Sequence, residues 1–124
     1  MEIEVKKLEQ VTEGQHNGTI VEVKDRKGKS KVGVDYHYLD FIIKLDESDA
    51  TIKYGCTPTF TTDAKRKPKS KLAKLWENLT LMSKLSNGKE TINTEDAVNT
   101  KVTFLAQEDD GFVNVVDNSV KVRV

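Results

Sequence analysis

Two tyrosines on one predicted strand are the side chains in this sequence best placed to bind a ligand. Tyr36 and Tyr38 stand two positions apart in the segment 35–45, DYHYLDFIIKL, which is rich in aromatic and branched residues. Such residues favour a β-strand. Read with a period of two, the tyrosines share one face with Asp40 and Lys44, while the opposite face is mainly apolar. The pattern predicts a strand with its inner face in the core and two rings on its outer face.

Basic residues are concentrated in two segments of the chain. Residues 24–31 hold five Lys or Arg against one acid and residues 65–74 hold six with no acid, so these 18 positions contain 11 of the 20 basic residues. Glycine and proline predict that both segments are largely irregular, as loops over 25–33 and 59–69. Clustered cations neutralise phosphates, and each contact with a single strand adds about 0.7 to the slope of affinity against salt. The alternative is that the lysines only form a solvated, solubilising surface.

Exposed rings beside cations predict binding of single-stranded nucleic acid. Bases stack on aromatic side chains, at about 1–3 kcal/mol for each base. The candidate binding residues are Tyr36, Tyr38, Lys44, Lys53, Phe60, Lys24, Arg26, Lys27, Lys29, Lys31, Lys65, Arg66, Lys67 and Lys69.

Several alternatives remain open at this stage. Phe60 is either a third stacking ring or a hydrophobic plug under its loop. Asp40 either repels phosphate or accepts a hydrogen bond from the exocyclic amine of a base. The acidic turn 108–110 also opposes phosphate binding if it lines the same groove. In the alternative function, the tyrosines form a subunit interface of a homo-oligomer or pack under residues 1–13, and the lysines are inert.

Catalytic and metal-binding motifs are absent from the sequence. The only histidines are His16 and His37, and the only cysteine is Cys56. They match no metal-ligand spacing and no nucleophile motif. We therefore expect a protein that is not an enzyme and holds no cofactor or metal. The net charge of zero gives no information about partners, and only the distribution of the charges can.

Three features predict a soluble, cytoplasmic protein. The chain has a single cysteine, its first residues do not resemble a signal peptide, and it has no apolar run of the about 20 residues needed to cross a membrane.

The pattern of apolar residues predicts the order β-β-β-α-β-β in a single domain spanning residues 1–124. Strands are expected at 19–24, 35–45, 51–57, 101–106 and 112–116, a turn at 14–18 and a helical turn at 94–99. Val21 and Val23 are expected to share a face. Ser70 is the expected N-cap of a helix with the apolar stripe Leu72, Leu75, Trp76, Leu79 and Met82, which ends at residues 87–88, Asn-Gly. Residues 1–13 are read as a leader or an edge strand.

This order of elements is typical of the OB-fold, a five-stranded Greek-key barrel with one helix. The alternative is an α+β antiparallel sheet with one packed helix. Residues 14–23, 36–45 and 70–75 resemble small OB-fold proteins of phages and archaeal mobile elements, which are described as single-stranded-DNA-binding proteins. The resemblance covers most of the chain in element order and implies that the ligand is DNA rather than RNA. Unlike the replication protein A type of domain, the chain has no zinc-binding cysteines.

Overall fold

The part of the chain that the structure describes is mostly β, with one α-helix. The computed structural model describes residues 11–60, 70–82 and 92–123. Its elements are β1 (Gly14–Lys29), β2 (Asp35–Leu45), β3 (Thr51–Cys56), α1 (Lys71–Asn78), a 3-10 helix (Thr94–Ala97), β4 (Lys101–Asp109), β5 (Phe112–Val115) and β6 (Lys121–Val122). The predicted class, β-rich with a single helix between the third and fourth strands, is confirmed.

The strands form one antiparallel sheet in the order β3-β2-β1-β4-β5, with β6 paired to β4. Strand β1 is central, because it pairs with β4 over residues 14–19 and with β2 over residues 18–29. Strands β3 and β5 approach each other, but no ladder joins them within the described residues. The sheet is therefore not closed by hydrogen bonds, and a closed barrel stays a prediction.

Strand β1 is much longer than the sequence predicted. The expected turn at 14–18 is wrong, because these residues pair with β4. At Gly18 an added Cβ would lie 2.6 Å from the carbonyl oxygen of Lys44, so this glycine allows close strand approach and does not mark a turn. The expected loop over 25–33 is also wrong, since pairing with β2 continues to Lys29 opposite Asp35. Ladder hydrogen bonds thus override the local preference of glycine and lysine, and the irregular segment between the strands is only 30–34.

A β-bulge in β1 decides which side chains share a face. Ile20 pairs with Ile43, but Glu22 pairs with the adjacent Ile42, so Val21 is the extra residue. Val21 is exposed while Val23 packs against the core, and the prediction that they share a face was wrong. The bulge also reverses the alternation. Even-numbered residues of β1 point inward before the bulge at Val21 and outward after it.

The core lies between the inner face of the sheet and α1. Ser70 caps the helix as predicted, its side-chain oxygen accepting a hydrogen bond from the Ala73 N–H at 3.2 Å. Trp76 is buried and meets Phe41 edge-on with ring centres 5.9 Å apart. The predicted helical stripe is buried against the sheet at Leu72, Leu75 and Leu79 as well.

The helix ends earlier than predicted. Thr80 adopts a left-handed conformation with φ of 58°. Its N–H donates to the Glu77 carbonyl at 3.0 Å, and the Leu81 N–H donates to the Trp76 carbonyl at 2.9 Å. This pair of bonds is a Schellman motif, which normally uses glycine at the left-handed position. Met82 therefore lies past the helix, and the expected stop at residues 87–88 falls outside the described residues.

Candidate nucleic-acid interface

The β1–β2 hairpin extends beyond the rest of the sheet. Pairing of β1 with β4 ends at Thr19, and pairing of β2 with β3 begins at Leu39. Residues 24–38 therefore form a two-stranded arm, called the hairpin arm below, with no third strand beside it in the described part of the chain. Val32 and Val34 at its turn are 84% and 62% exposed. Seven of the candidate binding residues belong to this arm: Lys24, Arg26, Lys27, Lys29, Lys31, Tyr36 and Tyr38.

One side of the hairpin arm carries both tyrosines. This surface, the tyrosine face, is defined by Lys24, Arg26, Tyr36, Tyr38 and Asp40. Cross-strand register places Arg26 opposite Tyr38 and Lys24 opposite Asp40. The two tyrosine rings are half-buried, with centres 6.1 Å apart and planes tilted by 38°. The expected pairing of the rings on the outer face of β2 is thus what the structure shows.

The Tyr36 ring leans across β1 at Gly28. Gly28 is the cross-strand partner of Tyr36, and a Cβ at this position would lie 2.6 Å from Cζ and 3.2 Å from Cε1 of the ring. Aromatic side chains cover cross-strand glycines in this way. The missing side chain at Gly28 therefore sets the position of the Tyr36 ring.

Arg26 and Asp40 form an ion pair beside the rings. The Arg26 Nε–H donates to Oδ2 of Asp40 at 2.8 Å, and Nη2 donates to Oδ1 at 3.4 Å. The guanidinium carbon lies 4.8 Å from the ring centre of Tyr38 and 5.8 Å from that of Tyr36, within the range of cation–π attraction. The hydrogen bond to Asp40 raises the pKa of Arg26 above its ordinary value.

The side chain of Asp40 is only 6% exposed. Both sequence-based alternatives for Asp40, repulsion of phosphate and contact with a base, required an open carboxylate. In the structure the carboxylate is nearly buried, and Arg26 donates a hydrogen bond to each of its oxygens and compensates its charge.

The basic residues of the arm divide between its two sides. Lys24 and Arg26 lie on the tyrosine face, whereas alternation along β1 puts Lys27 and Lys29 on the opposite side. There Lys27 Nζ is 3.7 Å from Oδ2 of Asp25. The other oxygen of this carboxylate, Oδ1, contacts His37 Nε2. Lys29 Nζ is 4.0 Å from Asp35. The sequence had placed these cations together in one loop, and the structure separates them.

The remaining candidates lie farther from the rings. Lys44 lies on the outer side of β2, and its Nζ is 3.7 Å from a carboxylate oxygen of Asp49. Lys53 is on β3, where it pairs with Ile42 of β2. Phe60 is partly buried and meets Trp76 edge-on at 6.5 Å between ring centres, which supports its interpretation as a hydrophobic plug. Within residues 11–60, 70–82 and 92–123, no ion pair is made by three of the candidate lysines: Lys24, Lys31 and Lys53. The candidates Lys65, Arg66, Lys67 and Lys69 lie outside the described residues.

His16 and Cys56 are both buried. His16 is 9% exposed, with Nδ1 2.9 Å from a Glu47 oxygen and Nε2 2.7 Å from the Thr12 carbonyl oxygen. These contacts tie residues 11–13 to the sheet. Burial raises the pKa of the Cys56 thiol to about 11, which keeps it protonated and poorly nucleophilic at neutral pH.

The described segments of the chain contain no group of three or more His, Cys, Asp or Glu side chains that could hold a metal ion. None of their helices has the length and apolar character needed to cross a bilayer.

Comparison with protein-family models and with curated proteins finds no match to this sequence. Sequence reasoning missed the Arg26–Asp40 pair, because the bulge at Val21 sets which residues of β1 face the tyrosines, and no local signal marks it.

Proposed function

We propose that the protein binds single-stranded nucleic acid on the tyrosine face and does not catalyse a reaction on it. The observation that carries this proposal is the pair of half-exposed rings held side by side, with an arginine against them, on an extended arm. Rings in this arrangement stack bases without regard to sequence, and adjacent cations attract the phosphates. The resemblance to single-stranded-DNA-binding proteins favours DNA over RNA.

The charge on this side of the sheet supports the proposal. The outer side of β1, β2 and β3 carries four basic residues and two acidic ones: Lys24, Arg26, Lys44, Lys53, Glu22 and Asp40. Asp40 is buried and compensated by Arg26, so the exposed charge is mainly positive. A polyanion that reaches the rings from the body of the sheet therefore passes Lys44, Lys53 and Lys24.

We also propose that the fold is OB-like. Strand β1 pairs with both β2 and β4, the helix stands between the third and fourth strands, and β3 approaches β5. These features match the connectivity of that fold, in which the outer surface of strands two and three binds oligonucleotides. The tyrosine face lies next to this surface, on β1 and β2, and Asp40 is its one residue in the stretch of β2 that pairs with β3.

The experiment is a fluorescence anisotropy titration of a labelled oligo-dT of about 16 nucleotides, with a duplex of equal length as control. We expect tighter binding of the single strand, weakening between about 50 mM and about 200 mM salt. Absence of binding at the lower salt concentration would end the proposal.

Lys24 and Lys27 provide a matched pair of variants, because they lie on opposite sides of the same strand. Lys24→Ala should reduce the salt slope by about 0.7, the value of one single-strand phosphate contact, and Lys27→Ala should leave it nearly unchanged. Equal effects of the two substitutions would show that the tyrosine face is not the binding side.

A second candidate function is subunit contact through the hairpin arm. The observation that favours it is the exposed apolar turn, Val32 and Val34, on an arm with unpaired strand edges in the described structure. Unpaired edges tend to pair with another strand, although lysines on the edge oppose this. Analytical ultracentrifugation distinguishes the two functions. A stable dimer that dissociates in the Tyr36→Ala/Tyr38→Ala variant would support subunit contact.

A further inference from the structure

The donors that Arg26 leaves free have a specific geometry. A guanidinium group has five N–H donors in a planar fork. Asp40 takes the Nε–H and one Nη2–H, at 2.8 and 3.4 Å. The opposite edge, with Nη1 and the second Nη2–H, makes no hydrogen bond within the described residues. Arg26 thus presents two adjacent parallel donors, and its side chain is 43% exposed.

Asp40 holds this free edge in place. The carboxylate is nearly buried, and two hydrogen bonds fix the rotation of the guanidinium group. The guanidinium group also lies against the Tyr38 ring. An arginine constrained in this way loses little further side-chain entropy when it binds a ligand, which favours selective recognition over simple charge attraction.

We infer that Arg26 reads one base of the bound strand, preferring a base that presents two adjacent hydrogen-bond acceptors. Guanine does so through O6 and N7, the most common specific contact of arginine with nucleic acid. In a single strand, cytosine also exposes two adjacent acceptors, O2 and N3. Adenine pairs its N7 acceptor with an amine donor, which would oppose the donors of Arg26. The inference rests on the proposed function, since the base must first be held against the neighbouring tyrosines.

The alternative ligand for the free edge is a phosphate group, which also accepts two hydrogen bonds from arginine. Phosphate contacts carry no sequence information. Base identity at a single position therefore separates the two ligands, while binding of the parent oligo-dT tests the proposed function on its own.

The test uses oligo-dT strands in which one central thymine is replaced by guanine, cytosine, adenine or 7-deazaguanine. The last base keeps O6 but lacks the N7 acceptor. Competition against labelled oligo-dT on the unmodified protein should show the guanine strand binding at least about 5-fold more tightly than the adenine strand. The 7-deaza substitution should remove most of this gain. If the cytosine strand also binds more tightly than the adenine strand, the acceptors in that strand are O2 and N3 of cytosine.

Arg26→Lys keeps the charge but removes the fork, so it should bring the ratio of the guanine-strand affinity to the adenine-strand affinity to about 1, whatever the change in its affinity for oligo-dT. Circular dichroism and a urea midpoint establish that the variant is folded. Equal affinities of the unmodified protein for all the strands would overturn the inference and leave the proposed function intact. Failure to bind any strand would overturn both.

Discussion

The position of the Tyr36 ring can be altered without touching a charge or an aromatic residue. Gly28 has no positive φ, so alanine is compatible with its backbone. The new methyl group would, however, lie 2.6 Å from Cζ of Tyr36. Since ordinary carbon contacts begin at about 3.5 Å, the ring must move by about 1 Å or rotate away from β1. Gly28→Ala therefore perturbs the stacking surface through sterics alone.

The expected effects on stability and on binding differ in size. The free energy of unfolding should change by less than about 1 kcal/mol, because a ring end can yield and alanine lowers the entropy of the unfolded chain. Binding of oligo-dT should weaken by up to the worth of one stacked base, about 1–3 kcal/mol. This corresponds to about 5- to 150-fold in the dissociation constant. Fluorescence anisotropy measures the second effect, and a urea titration measures the first.

A double-mutant cycle with Tyr36→Ala provides the control. Once the ring is gone, Gly28→Ala has nothing to displace, so it should cause no further loss of affinity. If Gly28→Ala weakens binding equally in the presence and absence of the ring, the ring position is not the cause. If it leaves native binding unchanged while Tyr36→Ala weakens it, the reasoning from the Gly28 contact is refuted.

Two predictions concern the stability of the fold. Thr80→Gly should raise the free energy of unfolding by about 1 kcal/mol, because glycine adopts the left-handed conformation at residue 80 without the strain of a side chain. Thr80→Ala should gain much less, and a urea midpoint that falls in the glycine variant would contradict the Schellman assignment. Stability should also decline at alkaline pH, because burial raises the pKa of Cys56 to about 11 and that of Tyr54 to about 12. Both groups ionise at a lower pH in the unfolded chain than in the folded protein. Their contribution to the free energy of unfolding is therefore complete below a pH of about 8.5 and is lost as the pH rises through about 11 to 12. The urea midpoint should fall between pH 8 and pH 11, and by less in Cys56→Ala; an equal fall in both would show that the thiol does not contribute.

The parts of the fold that sequence reasoning predicted are those where the apolar period is unbroken. Strand β2 was predicted with its observed bounds, because one face of it is continuously apolar from Leu39 to Leu45. The apolar stripe of the helix likewise indicates that Trp76 packs in the core, and Trp76 is buried. Burial of apolar surface dominates these segments, so the pattern and the structure agree.

The errors lie where pairing between distant segments decides the conformation. The second half of β1 is rich in lysine and glycine, and it is extended only because β2 lies beside it. The bulge at Val21 has no local sequence signal, yet it brings Arg26 to the tyrosine face. The end of α1 at Thr80 was missed for a related reason, since a β-branched residue rarely occupies a left-handed position. The tyrosines and Arg26 could therefore be named as candidates from the sequence, but the contact of Arg26 with the rings could not be predicted.

The affinity for oligo-dT, measured as a function of salt for the native protein and for Tyr36→Ala/Tyr38→Ala, tests the central claim most directly. The substitution removes both rings and leaves every charge in place. On a plot of log affinity against log salt concentration we expect two parallel lines, with the variant weaker by at least about 10-fold throughout, because stacking is lost and phosphate contacts are kept. Coincident lines from a folded variant would contradict it, since the tyrosines would then take no part in binding.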